Sequence, residues 1–178
     1  MTDRLIRTSF KLFVLALGLL ALAACSSIPV KMPSIGADKP IEITEDFFEI
    51  YKERQDFEAL MAFYAEDAQL EDLIYGHFAE DKASIRAFLN WNDSKFELPN
   101  GPPALEVTAL TAQGSRVVTQ GYFKPFNYDG KSFGPWRFVI ILEFNDDGKI
   151  VREIDWINYT PRENFLGGKD INTLGRVK

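Results

Sequence analysis

The chain of 178 residues holds a single cysteine, a single histidine and three methionines, and nowhere gathers lysine and arginine into a cluster. One thiol excludes an intramolecular disulfide, and one imidazole without thiol partners excludes zinc-finger and zincin spacings. Twenty basic against 26 acidic side chains give a net charge of −6, which offers no electropositive footprint for nucleic acid. There is no Gly-rich phosphate loop, no Ser/His/Asp order and no metal-ligand spacing, so neither a metal nor a cofactor is expected. No apolar run reaches the roughly 20 residues of a membrane-spanning helix. Aromatics, in contrast, are plentiful: they make up 13% of the chain, fifteen of them phenylalanine, enough for a sizeable core or an apolar pocket.

The first residues differ from the rest. Arg4, Arg7 and Lys11 stand against Asp3, and Leu12 to Ala24 follow without a polar side chain. At about 1.5 Å per residue this run extends about 20 Å, too short for a hydrocarbon core of about 30 Å, so residues 1–24 read as a secretory signal peptide. Leu22-Ala23-Ala24-Cys25 resembles the lipobox of bacterial lipoproteins. The resemblance implies cleavage before Cys25 and a diacylglycerol on its thiol. With Ser26 next rather than aspartate, it implies a lipid-anchored protein of the cell envelope, at the outer membrane and facing the periplasm. A lipidated Cys25 is neither nucleophile nor metal ligand, and at about 0.8 kcal/mol per buried methylene two or three acyl chains make the anchoring effectively permanent. Losing the leader removes three bases and one acid, leaving 17 basic and 25 acidic residues and a net charge of −8.

Residues 25–43, with Pro29, Pro33 and Pro40 and no amphipathic period, read as an extended tether. The folded unit is expected over 44–166, with a tail at 167–178. Thr44 is the expected N-cap of a helix carrying Phe47, Phe48 and Tyr51 on one stripe. Asp56 heads a second, whose Phe57, Leu60, Met61 and Tyr64 recur at helical spacing. A strand from Ala68 to Tyr75, a turn at Gly76 and a third helix from Asp81 follow. Four strand-like runs, 105–111, 116–124, 132–144 and 149–159, are separated by Gln113-Gly114, Asp129-Gly130 and Asp146-Asp147-Gly148 turns. The fold class is α+β, helices on one face of a curved sheet.

Three phrases in this order, Asp56-Phe57-Glu58-Ala59-Leu60 with Phe63-Tyr64-Ala65-Glu66-Asp67-Ala68, then Ile85-Arg86-Ala87-Phe88-Leu89, then Asp147-Gly148-Lys149-Ile150 with Asp155-Trp156, resemble the SnoaL-like branch of the nuclear transport factor 2 superfamily. The resemblance implies a cone-shaped domain of three N-terminal helices on a mostly antiparallel sheet, enclosing a pocket. It also implies a homodimer formed through the outer sheet face. It does not imply one activity, because the fold hosts isomerases, cyclases, hydrolases and non-catalytic binders.

The last hairpin fixes which residues face the pocket. With Gly148 left-handed and Asn145 opposite Lys149, a regular ladder groups Arg137, Val139 and Ile141 with Glu153 and Asp155 on the pocket side, and Trp156 with Phe138 and Ile140 under the helices. The alternative register scatters Glu153 and Asp155 among the aromatics, where an unpaired carboxylate is costly, so the first is expected. Asp155 is then an acid/base candidate if the aliphatic wall raises its pKa, or a structural partner of Arg137 if the guanidinium lowers it. His77 with Asp72 is a second candidate pair, since imidazole titrates near neutrality. Tyr51 offers a hydroxyl, and Gln120 and Tyr122 offer donors from one strand face. Within the resemblance, Asp155 matches a catalytic aspartate of limonene-epoxide-hydrolase members, but Thr119-Gln120-Gly121-Tyr122 carries neither their second aspartate nor their arginine, so that reaction is not expected. Two functions remain: a lipoprotein that binds a small apolar ligand or serves as an envelope accessory module, and a cofactor-free isomerase, cyclase or hydratase built on Asp155.

Overall fold

The structure, a computed structural model, describes residues 38–161. The leader, Cys25, the tether up to residue 37 and the tail at 167–178 lie outside the described residues. In chain order the elements are α1 (Lys39–Glu53), α2 (Phe57–Met61), β1 (Tyr64–Asp72), β2 (His77–Ala79), α3 (Lys82–Leu89), β3 (Phe96–Glu97), β4 (Leu105–Gln113), β5 (Arg116–Phe123), β6 (Phe126–Tyr128), β7 (Lys131–Phe133), β8 (Trp136–Phe144) and β9 (Ile150–Ile157). The main sheet has the order β2-β1-β9-β8-β5-β4, and β3-β6-β7 form a small second sheet. Every pairing is antiparallel except β1 with β9. This is the expected α+β class.

Helix α1 begins at Lys39, five residues before the expected cap. Pro40 occupies its first turn, where the missing N–H would be unsatisfied anyway, and Thr44 lies inside the helix with its hydroxyl donating to the Pro40 carbonyl at 2.7 Å. Asp56 caps α2 by accepting from the Ala59 N–H at 2.8 Å, but α2 stops at Met61 and Tyr64 opens β1 instead of prolonging the helical stripe. Asp81 and Ser84 close α3 with a reciprocal capping box. The single run expected over 132–144 is divided at Gly134-Pro135 into β7 and β8, because proline cannot donate to a ladder.

The core lies between α1 and the inner sheet face. Phe48 stacks on Phe138 at 6.0 Å and Phe47 meets Tyr64 edge-on at 6.0 Å. Each fully buried aromatic of this kind contributes roughly 1.5–3 kcal/mol.

The β8–β9 hairpin corrects the expected register. Its turn is as read: Gly148 has φ +77°, and the Asn145 N–H donates to the Lys149 carbonyl at 2.9 Å. Phe144 pairs with Ile150, yet Glu143 already pairs with Arg152, so Val151 is an extra residue and the ladder carries a bulge. Beyond it every pair is shifted by one: Leu142 faces Glu153, Ile140 faces Asp155 and Val139 faces Trp156. Glu153 and Asp155 therefore share the helix-covered face with Phe138, Ile140 and Leu142, whereas Arg137, Val139 and Ile141 lie on the opposite face. Arg152 and Trp156 also turn outward. Arg152 Nη2 holds Glu71 Oε1 at 2.7 Å, and Trp156 is 42% exposed.

Candidate active site

Strand β1 lies parallel to β9 in a register that puts Leu70 beside Glu153 and Asp72 beside Asp155. Three carboxyls, at Asp72, Glu153 and Asp155, are thereby buried together on one inner sheet face. Three ionised carboxylates at such closeness would repel, so the surroundings must supply protons or donors.

Asp72 is met entirely by donors. Its Oδ1 accepts from the N–H of Ile74 at 3.2 Å and of Tyr75 at 2.9 Å, and its Oδ2 accepts from the Tyr159 hydroxyl. Glu153 Oε2 accepts from the Tyr64 hydroxyl. Asp155 is hydrogen-bonded to Glu153, and its Oδ1 is buried with no partner among the described residues. Burial pushes the Glu153 carboxyl up to about 7, against the hydrogen bonds from Tyr64 and Asp155. Burial, then the charges of Glu153 and Asp72, hold Asp155 well above the usual carboxylate range. The two therefore titrate as a dyad in which a proton is retained at neutral pH. Burial raises the hydroxyls of Tyr51, Tyr64 and Tyr159 as well, so all three remain neutral donors.

Asp155 borders a cavity of about 800 Å³ walled mainly by aromatic rings, among them Phe88, Phe123, Phe126 and Trp136. Asp155, Asp72, His77 and Tyr51 all line it, so the topology brings these sequence candidates into one space. His77 pairs across the strand with Asp72, but the Asp72 carboxylate bonds Ile74, Tyr75 and Tyr159 rather than the imidazole. Its ring lies on Phe88, centroids 4.0 Å apart, and its Nε2 is buried without a partner. The other candidates are elsewhere. Glu153 sits behind Asp155, off the cavity wall, while Arg137, Val139 and Ile141 are on the outer face with Gln120 and Tyr122, which pair with Val139 and Arg137. The Tyr122 hydroxyl donates to Glu106 there. The bulge at Val151 parts Glu153 and Asp155 from Arg137, Val139 and Ile141, and Gln120 and Tyr122 stay outside because the cavity lies on the helix-covered face of the sheet.

Sequence reading missed Tyr159 and Arg54. Tyr159 closes the expected 149–159 run on the alternation of Asp155 and Ile157, a signal that could have found it. Tyr64, like Tyr51, offers a hydroxyl at helical spacing; the structure buries it in the core at the start of β1, where it holds Glu153. Arg54, at the end of α1, also lines the cavity. Among the described residues no group of three or more His, Cys, Asp or Glu side chains is disposed to hold a metal, and no helix is long and apolar enough to cross a membrane.

A curved, mostly antiparallel sheet packed by N-terminal helices is the architecture of nuclear transport factor 2-like proteins. Three solved structures share it. A candidate SnoaL-like polyketide cyclase from Shewanella denitrificans OS-217 is 18% identical, with TM-score 0.58 over 71% of this chain and 96% of its own. A candidate ketosteroid isomerase from Kribbella flavida DSM 17836 is 19% identical, with TM-score 0.52 over 76% and 93%. An epoxide hydrolase of the LEH-like type from M. tuberculosis is 16% identical, with TM-score 0.55 over 68% and 84%. Within that class, the chain belongs to the SnoaL-like domain family, which matches residues 44–153. No curated protein matches its sequence.

Proposed function

We propose that the cavity binds a small, ring-bearing ketone and that the Asp155–Glu153 dyad moves a proton at the carbon next to its carbonyl, a cofactor-free isomerase or cyclase reaction. The observation that carries this reading is Asp155, which lines an aromatic-walled cavity with its Oδ1 buried and unpartnered among the described residues, backed by a glutamate whose carboxyl is raised to about 7. A base poised near the working pH is the most effective one. In the singly protonated dyad, Asp155 Oδ1 accepts the carbon-bound proton while the proton on its other oxygen passes to Glu153. The neutral Tyr51 hydroxyl, which makes no hydrogen bond among the described residues, donates to the oxygen on which enolate charge develops. The reverse transfer returns the proton at another carbon. Polyketide cyclase and ketosteroid isomerase names among the structural relatives favour the same class.

Carboxyl ¹³C NMR tests this directly. The dyad should take up its second proton near neutrality, at about pH 7, and Glu153→Gln should abolish that titration. Both carboxyls titrating below about pH 5, as ordinary model-peptide carboxyls do, would refute the mechanism. Native mass spectrometry of the protein purified from its own cell extract should show a retained low-mass, unsaturated compound, and the same spectrum reads the subunit number.

We propose further that this domain works from a membrane surface of a bacterial envelope, lipid-anchored through Cys25. Leu22-Ala23-Ala24-Cys25 behind a basic and apolar leader supports it. Radiolabelled palmitate should enter the wild-type chain in a bacterial host and be lost in Cys25→Ser; equal labelling of both would rule it out.

A further inference from the structure

Arg54 is the cation of this cavity that the proposed proton transfer does not use. It ends α1 with φ +51°, the left-handed C-cap conformation that glycine adopts without strain, so an arginine there is retained at a backbone cost of about 1 kcal/mol. Its guanidinium lies over two rings, 4.1 Å from the centroid of Phe96 and 4.9 Å from that of Trp91, which fix it beside the cavity. Arg86, Arg116 and Arg152 each hold a glutamate, Glu58, Glu143 and Glu71. Arg54 holds no carboxylate among the described residues, although acids outnumber bases in the chain. Burial lowers its pKa, and the one group that opposes this is Tyr51, one helical turn earlier. A half-buried guanidinium stacked on aromatics keeps its in-plane N–H donors, which match the two oxygens of a carboxylate.

We infer that Arg54 is an anion anchor and that the ligand is an aromatic or polycyclic compound carrying a carboxylate, bound with that group on Arg54. This rests on the reading of the cavity as a ligand site and adds the charge and orientation of what enters it. The aromatic wall takes the ring system, Arg54 takes the anionic end, and the uncharged carbonyl end is left for Tyr51 and Asp155. An anion could not be placed the other way, because Asp72 and the dyad would repel it.

The test uses the full-length chain and two probes of one ring system, 2-naphthoate and its uncharged methyl ketone 2-acetonaphthone, in calorimetric titrations. Naphthoate should bind about tenfold more tightly, the ratio set by a charge-assisted hydrogen-bonded pair of about 1.5 kcal/mol. In Arg54→Gln that preference should vanish while the ketone still binds, and in Arg54→Lys it should be kept in part. Added salt should weaken naphthoate and leave acetonaphthone unchanged. Equal binding of both probes to wild type and Arg54→Gln overturns the anchor but leaves the cavity as a ligand site. Binding of neither probe to wild type overturns both. If Arg54→Gln fails to fold, the wild-type preference for naphthoate and its salt dependence decide the matter: their presence upholds the anchor and their absence overturns it.

Discussion

From about pH 5 to about pH 8 the folded domain is expected to lose about 3 kcal/mol of stability, the reverse of what ordinary surface carboxylates would give. The cause is Glu153, buried with its carboxyl raised from 4.5 to about 7. Below the unfolded value both states hold the proton, and the stabilisation is complete. Between the unfolded and folded values the unfolded chain releases the proton while the folded one retains it, so stability falls with each step in pH and levels off above about 7. Asp155, raised in the same direction, extends the decline to higher pH. Urea unfolding across this range, at constant slope in denaturant, measures it. The double variant Glu153→Gln/Asp155→Asn, uncharged and nearly isosteric, should flatten the profile. A stability that rises from pH 5 to pH 8 would show that the two carboxyls are not a protonated dyad.

The second large effect is steric. Gly121 lies in β5 across from a break in the β4 register between Val107 and Ala109. A Cβ there would come within 2.2 Å of the Glu106 carbonyl oxygen and 2.6 Å of Phe138 Cζ. The first is backbone and cannot swing aside. Gly121→Ala should cost about 3 kcal/mol or more, at the upper end of overpacking changes, because the strands must part to admit one methyl. Phe138 stacks on Phe48 and packs against Phe123 at 5.2 Å, and Phe123 lines the cavity, so the disturbance should reach the ligand site. Calorimetric unfolding of Gly121→Ala within about 0.5 kcal/mol of wild type, the range of inert surface changes, would contradict this close approach.

Much of the architecture was legible because it is written in local physical chemistry. Asp56 and Asp81 cap helices because a short side-chain oxygen reaches a free N–H three residues on. Gly76 and Gly148 turn the chain because each holds a φ that other residues resist. Asp72, Tyr51, His77 and Asp155 could be picked out as polar groups among apolar neighbours, and a mostly antiparallel sheet followed from the alternation of the later runs.

What the linear pattern could not supply was the placement of one residue. Two carboxyls among aromatics are costly unless partnered, and the linear pattern shows no partner for them, which favours the regular ladder with Arg137 diagonal to Asp155. The cost is met by groups far along the chain: Tyr64 reaches Glu153 across 89 positions and Tyr159 reaches Asp72 across 87. A strand's side chains alternate by two, so the single extra residue at Val151 moves Glu153 and Asp155 to the inner face, and Trp156 to the outer. Composition, caps and turns therefore settle which elements form and which face of each helix is apolar, since these depend on neighbours within a few residues. Whether an acid is paired, protonated or open to a cavity depends on partners that only folding brings within hydrogen-bond reach.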